Sequence, residues 1–98
     1  MTFVFQFTPV AKQSLSILKN SNHLEKRYKA VTKSLKFLSQ NPKHPSLQTH
    51  KFTSLAGPNV ETVFEAYAEQ DTPGAYRIFF MYGPKKYEIT IIAITSHP

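Results

Sequence analysis

The amino-terminal segment has a hydrophobic period of two. Phenylalanine occupies every second position from Phe3 to Phe7. Such a period is typical of a β-strand, because successive side chains of a strand point to opposite faces. The pattern therefore predicts a first strand with one strongly aromatic face.

The apolar period changes to that of a helix after Thr8. Threonine caps helix amino termini and proline is tolerated in the first helical turn, so Thr8-Pro9 predicts a helix start. A short helical stripe follows, formed by Val10, Ala11, Ser14, Leu15 and Leu18. We expect this helix to end near residues 20–22.

A second helix is predicted from a longer stripe with helical spacings of four, three, four and three residues. Its members are Leu24, Tyr28, Val31, Leu35 and Leu38. The helix must stop at residues 41–45, Asn-Pro-Lys-His-Pro, because proline lacks an N–H group and restricts the residue before it. The two helices, joined by a polar turn, form a hairpin that can cover one face of a sheet.

The rest of the chain has the pattern of strands separated by turns. Turn-forming residues such as Gly and Pro cluster at 56–59, 70–74 and 83–86, between predicted strands at 49–54, 60–68, 75–82 and 87–95. The last strand is apolar on both faces, so we expect it inside the sheet. The order β-α-α-β-β-β-β predicts an α+β fold, a helical hairpin packed on a mostly antiparallel sheet, in a single domain over residues 1–98.

The charge of the chain is unevenly distributed. Residues 1–51 carry nine Lys or Arg and one acid, a net charge of +8, whereas residues 52–98 carry three Lys or Arg and five acids, a net charge of −2. A basic half favours an anionic partner, whether nucleic acid, an acidic protein segment or an anionic membrane surface. Alternatively, the lysines of the second helix only solvate its exposed face.

Composition argues against several kinds of site and against targeting or membrane-spanning segments. The chain has no cysteine, which excludes disulfides and thiolate chemistry. Its four histidines form neither an i, i+4 pair nor an HExxH motif, so we expect no metal and no cofactor. No signal-peptide pattern is present, and no apolar stretch approaches the roughly 18 residues that span a bilayer. We therefore expect a cytoplasmic protein that does not bind a membrane.

One charge interrupts the most apolar segment of the chain. Arg77 lies in the run Ala-Tyr-Arg-Ile-Phe-Phe-Met-Tyr at 75–82. A guanidinium is rarely buried unless it is paired, and its planar fork suits a carboxylate or a phosphate. Arg77 is therefore a candidate for a functional site.

The alternation of the two preceding strands brings candidate partners to Arg77. Glu65 and Tyr67 lie on one face of their strand, and they share a surface with Arg77 if odd positions pair with odd positions, for instance Tyr67 with Arg77. Two interpretations stay open. Glu65 and Arg77 form an ion pair that satisfies both charges, or Arg77 binds a phosphate.

The second interpretation gains support from protonatable neighbours. His50 and Lys51 lie on the first strand after the helices, and His97 follows the last strand. With Arg77 they can supply the base, the acid and the fixed cation that phosphodiester cleavage needs. A ribonuclease that uses the substrate's own 2′-hydroxyl needs no metal.

Six motifs follow one another along the chain. They are Asn-Pro-x-His-Pro-Ser-Leu at 41–47, His-Lys at 50–51, Leu-x-Gly at 55–57, Phe-Glu-Ala-Tyr at 64–67, Tyr-Arg-Ile-Phe-Phe at 76–80 and an isoleucine-rich strand ending in Ser96-His97. In this order they resemble the RelE/ParE superfamily of bacterial type II toxins, and the likeness spans nearly the whole chain. It implies a RelE-like fold.

The resemblance also implies a function. A toxin of this kind is neutralised by a cognate antitoxin, and RelE-like members cleave mRNA in the ribosomal A site without a metal. We therefore expect a ribosome-dependent mRNA endoribonuclease, with the ribosome and mRNA as partners. The alternatives are a ParE-like inhibitor of DNA gyrase and a catalytically inactive toxin-fold protein that only binds an antitoxin.

By position, the resemblance assigns catalytic roles to four residues. Arg77 matches the strand arginine that binds the scissile phosphate, and His97 matches the carboxy-terminal histidine that serves as acid. Lys51 lies near the basic positions that stabilise charge or activate the 2′-hydroxyl, and Glu65 is placed as the carboxylate base. We expect a further group, His50, Tyr67 and Lys43, to contact the substrate.

Overall fold

A computed structural model describes residues 2–96 of the chain. Its strands are β1 (Val4–Phe7), β2 (His50–Ala56), β3 (Thr62–Tyr67), β4 (Tyr76–Tyr82) and β5 (Glu88–Ser96), and its helices are α1 (Pro9–Asn20) and α2 (Glu25–Gln40). Short 3₁₀ segments at Asn22–Leu24 and Pro45–Leu47 follow the two helices. This order confirms the predicted α+β fold.

The five strands form one sheet in the order β1-β5-β4-β3-β2. Strand β1 pairs in parallel with β5, and the other neighbours are antiparallel, which confirms the mostly antiparallel sheet. The isoleucine-rich strand β5 is internal, as its apolar faces predicted. Strand β4, which carries Arg77, is the middle strand.

Both helices pack on one face of the sheet. Alternate residues of the strands point to this face and meet the helical stripes in a core that excludes water. Its fully buried members include Leu18, Val31, Leu38, Ala66, Ile78, Phe80, Ile89 and Ile91. Each buried Leu, Ile or Phe contributes about 1.5–3 kcal/mol, so this layer supplies much of the folding free energy. Within residues 2–96, neither helix has the length and apolarity needed to cross a bilayer.

The start of α1 is tied to the sheet by Thr8. Its hydroxyl oxygen accepts the Ala11 N–H at 3.1 Å, which is the predicted cap, and the same hydroxyl donates to the Ile92 carbonyl at 2.7 Å. Ile92 is the extra residue of a β-bulge, because Phe79 pairs with Ala93 whereas Phe80 pairs with Ile91. One threonine therefore fixes both the helix start and the bulged strand beneath it.

Candidate functional site

The pairing of β3 with β4 decides which side chains meet Arg77. Tyr67 lies opposite Arg77, and Glu65 lies opposite Phe79. This register is the predicted pairing of odd with odd positions. Because paired residues point to the same side, Glu65, Tyr67, Arg77 and Phe79 share the face of the sheet turned away from the helices, which we call the distal face.

Glu65 lies at the centre of a charged cluster on the distal face. Its Oε2 atom accepts a hydrogen bond from Nη1 of Arg77, and its Oε1 atom lies 2.7 Å from Nε2 of His50. His50 is the residue of β2 directly opposite Glu65. We call His50, Glu65 and Arg77 the Glu65 cluster.

Burial makes the pairing of Glu65 and Arg77 energetically important. The Glu65 side chain is 4% exposed and the Arg77 side chain 17% exposed. A carboxylate at this depth requires charged or hydrogen-bonding partners, and the cluster provides two. Arg77 also stacks near Phe79, with its guanidinium carbon 5.4 Å from the ring centre. The structure therefore contains the ion pair between Glu65 and Arg77 that was one of the two interpretations of the sequence.

The guanidinium of Arg77 is incompletely satisfied by this pairing. Its Nε atom is buried and has no hydrogen-bond partner among residues 2–96. Leaving such a donor unpaired costs about 1–3 kcal/mol. The arginine is thus held in place at a cost that a better complement of acceptors, such as phosphate oxygens, would reduce.

His50 forms the accessible edge of the cluster. Its side chain is 45% exposed, and its ring centre lies 5.5 Å from that of Tyr67. Its second ring nitrogen, Nδ1, lies 2.9 Å from the Gln48 carbonyl oxygen. Both neighbours are acceptors, so the imidazole donates to both only when both nitrogens carry a proton.

A cleft of about 590 Å³ opens beside the cluster. Tyr67, Arg77 and Gln48 form part of its lining, and the loop between β3 and β4, residues 69–75, forms the rest. This volume is typical of sites that bind small molecules or single nucleotides. The cleft therefore offers a ligand direct access to Arg77.

Solved structures of bacterial and archaeal toxins share this architecture. The YoeB dimer from Staphylococcus aureus aligns over 100% of both chains with a TM-score of 0.69 and 14% identity. RelE in the archaeal RelE–RelB complex from Pyrococcus horikoshii OT3 aligns over 98% of this chain and 96% of that chain, with a TM-score of 0.64 and 15% identity. A YoeB/ParE toxin from Agrobacterium tumefaciens aligns over 96% and 98%, with a TM-score of 0.70 and 5% identity.

The chain has the fold of these RelE, YoeB and YoeB/ParE structures. The resemblance inferred from the sequence motifs is thus confirmed for the fold. The chain matches no protein-family model and no curated protein sequence.

Within this toxin fold, Lys51 is not where the sequence analysis expected it. Lys51 lies opposite Phe64, which points to the helix-bearing face, whereas Arg77 lies on the distal face. Adjacent residues of a strand alternate between faces, so His50 and Lys51 cannot both join Arg77. Of the two neighbours predicted for Arg77, His50 lies on the distal face, whereas the placement of Lys51 there was wrong.

The remaining predicted residues are distributed unevenly around the cleft. Tyr67 lines it next to Arg77. Lys43 lies in the exposed turn after α2, where its backbone N–H donates to Oδ1 of Asn41, and it is not part of the Glu65 cluster. His97 lies outside the described residues.

Two glutamines near the cleft were missed by sequence reasoning. Gln48, which has a left-handed backbone (φ 46°), provides the carbonyl that faces His50. Its side chain donates to Oε1 of Gln70, and Gln70 donates to the Ser46 carbonyl at 2.9 Å. No sequence pattern predicted these hydrogen bonds, because residues 70–74 have only the composition of a turn. Within residues 2–96, no three potential ligand side chains are grouped so that they could hold a metal ion.

Proposed function

We propose that this protein is the toxin of a type II toxin–antitoxin pair and that it cleaves mRNA on the ribosome. The proposal is carried by one observation, the Glu65 cluster beside an open cleft, in a fold shared with RelE and YoeB toxins. The cluster combines a carboxylate, an imidazole and a guanidinium. These are the groups that metal-free cleavage of RNA requires.

In the proposed reaction, the 2′-hydroxyl of the substrate attacks the adjacent phosphorus and the 5′-oxygen of the next nucleotide leaves. Arg77 binds the scissile phosphate and stabilises the charge that accumulates on it. The phosphate replaces Glu65 at Nη1, and the carboxylate that is released accepts the proton of the 2′-hydroxyl. The products are a 2′,3′-cyclic phosphate and a 5′-hydroxyl.

The leaving 5′-oxygen requires an acid. His50 is exposed at the edge of the cluster with its Nε2 atom 2.7 Å from Oε1 of Glu65, and we assign it this role because an imidazole can act as a general acid. His97, the acid implied by the family resemblance, is the second candidate for this role. Tyr67 lines the cleft beside Arg77 and offers a ring on which a base can stack.

A cognate antitoxin is the proposed protein partner. The RelE neighbour from P. horikoshii was solved in complex with RelB. The net charge of +6 on the present chain favours an acidic partner segment. A toxin that acts on translating ribosomes works in the cytoplasm.

The burial of Arg77 favours a second candidate, a toxin-fold protein without catalytic activity that binds an antitoxin. A guanidinium that is 17% exposed and already paired with a buried carboxylate has the features of a structural ion pair. This candidate predicts that expression does not arrest growth and that mRNA stays intact.

The test is to add purified protein to translating ribosomes and to map the transcript ends. We expect cuts with a 2′,3′-cyclic phosphate and a 5′-hydroxyl, and no cut where the nucleotide carries a 2′-deoxy sugar. Arg77→Ala should lower the rate by about 10²–10³-fold, as the loss of a transition-state donor does in other enzymes. Arg77→Lys keeps a positive charge but loses bidentate geometry, so it should recover only part of that loss.

The control is Glu25→Gln, which removes an exposed ion pair on α2 with both side chains at least 70% exposed. Intact mRNA with the wild-type protein would reject the nuclease proposal. A 5′-phosphate at the cut would reject the 2′-hydroxyl mechanism. Trapped DNA breaks in growing cells, with transcripts intact, would indicate the gyrase alternative.

A further inference from the structure

The chain contains only two arginines. The one outside the Glu65 cluster, Arg27, contacts the loop that lines the cleft. Arg27 lies on α2, outside the Glu65 cluster. Its Nη1 atom lies 2.6 Å from Oε2 of Glu69, and its Nη2 atom donates to the Pro73 carbonyl at 2.9 Å. A single guanidinium therefore bonds to both the beginning and the end of the loop between β3 and β4.

The same contact reaches the first residue of β4. The second carboxylate oxygen of Glu69, Oε1, accepts the N–H of Tyr76 at 3.2 Å. Tyr76 directly precedes Arg77 in the chain. We call Arg27, Glu69, Pro73 and Tyr76 the Arg27 clamp, and it connects α2 to the strand residue next to the cluster.

Outside the clamp, the loop is held by a few hydrogen bonds, most of them between exposed groups. Residues 70–74 are exposed and form no helix or strand, and they contain left-handed backbone at Asp71 and Gly74. Within the loop, the Ala75 N–H bonds to the Thr72 carbonyl. On the far side, Gln70 bonds to the 3₁₀ segment through the Ser46 carbonyl. The Arg27 clamp connects the loop to the helical layer, next to a hydrogen bond that the Ser34 hydroxyl donates to the Ala68 carbonyl at 3.5 Å.

The geometry of the clamp requires an arginine. Both donors belong to one planar fork, and they reach two acceptors that lie on different residues of the loop. A lysine ammonium is a point charge on a flexible stem, so it cannot hold both acceptors in a fixed geometry. The side chains of Arg27 and Glu69 are 26% and 9% exposed, which limits screening by solvent.

We propose that Arg27 is a positioning residue for the cleft. It holds residues 69–75 as a preformed wall and keeps Arg77 in register with the ligand, although it touches neither the cluster nor the reacting atoms. This role rests on the nuclease function proposed above. The alternative is an ion pair that stabilises the fold and has no effect on the site.

The test compares Glu69→Gln with Glu25→Gln. Both variants replace an acid by its amide in an ion pair with a basic residue of α2. Glu69 pairs with Arg27 in the clamp, and Glu25 pairs with Lys29 on the exposed surface. Arg27→Lys is the second clamp variant, and it retains the charge. Hydrogen exchange at the amides of residues 69–76 is measured on the isolated protein, and kcat and KM for mRNA cleavage are measured on ribosomes under conditions where every variant is folded.

In the clamp variants, we expect the amide of Tyr76 and its loop neighbours to exchange about ten-fold faster, because a charge-assisted hydrogen bond no longer opposes local opening. The value of kcat/KM should fall by about ten- to a hundred-fold, mainly through KM, because small displacements of a positioning element have effects of this size. Glu25→Gln should change neither quantity.

Each outcome decides a separate point. Unchanged loop exchange in both clamp variants would overturn the clamp itself. Faster exchange with unchanged kcat and KM would reduce Arg27 to a structural ion pair and overturn its positioning role. If the wild-type protein leaves mRNA intact, the nuclease proposal fails and the role in cleavage fails with it, whereas the exchange data still decide whether the clamp holds the loop.

Discussion

The ion pair between Glu65 and Arg77 allows a quantitative test by a double-mutant cycle. Glu65→Leu and Arg77→Met replace the two charged side chains by apolar ones of comparable size. The first variant removes the partner of Nη1 and leaves a mostly buried guanidinium whose Nε atom also lacks a partner in the part of the chain that the structure describes. The second leaves a buried carboxylate with His50 as its remaining partner, at 2.7 Å.

The magnitude follows from burial. Removing one member of a buried ion pair costs about 3–5 kcal/mol, because the other charge stays buried without compensation. We expect about 3 kcal/mol for each single variant, the lower end of that range, since Arg77 borders the cleft and Glu65 keeps His50. Replacing both members by apolar residues is often neutral, so the double variant should cost no more than either single one. The coupling energy is then at least about 3 kcal/mol, at or above the upper end for residues in one network.

The assay is urea unfolding followed by far-ultraviolet circular dichroism. With a slope of about 1–3 kcal/mol per molar urea, each single variant should lower the midpoint by at least about 1 M. Two results would refute the reasoning. If the single variants each cost less than about 1 kcal/mol, the pair behaves as a solvated surface ion pair. If the effects of the two substitutions are additive, Glu65 and Arg77 are energetically independent.

Three further predictions concern the framework of the site. Thr8→Ala should lower the free energy of unfolding by about 1–2 kcal/mol, because the Thr8 hydroxyl both caps α1 and bonds to the bulged strand at Ile92. Thr8→Ser keeps the hydroxyl and should cost much less, which the urea midpoints of the two variants check. Gly74→Ala should cost about 1 kcal/mol of stability through its positive φ, although the added methyl group meets no atom within 4 Å. Gly57→Ala should cost less, because the added methyl group approaches Oε1 of Glu61 at 2.5 Å and Sδ of Met81 at 2.8 Å, which are the ends of flexible side chains that can move aside; a larger loss at Gly57 than at Gly74 would contradict this order. Leu47→Ala should cost about 2–5 kcal/mol in the same assay, because Leu47 is fully buried beneath the segment that leads to His50.

Local patterns were sufficient to predict the elements of this fold. The helical stripes, the cap at Thr8 and the turns rich in Gly and Pro involve residues close together in the chain, so their signals survive in the sequence. Boundaries shifted by one or two residues; β3, for example, begins at Thr62 rather than Val60. The shift is expected, because the ends of a strand depend on where pairing with its neighbour stops.

The candidate site was predictable only in part. Strand alternation placed Glu65, Tyr67 and Arg77 on one face once the register was chosen, and the structure has that register. The same alternation separates His50 from Lys51, but the sequence does not say which of the two is directed to the distal face. That choice is made by the pairing of His50 with Glu65, which lies on another strand.

The sequence by itself determined the α+β order, the aromatic and aliphatic core and the presence of one arginine in an apolar strand. These features can be predicted because strands and helices have hydrophobic periods of two and of 3.6 residues, and because single residues such as proline restrict the backbone. Only the tertiary structure decided what surrounds that arginine. Arg27 and Glu69 are 42 residues apart in the chain and His50 and Glu65 lie on different strands, so their contacts arise from packing and pairing of whole elements, which no local pattern encodes.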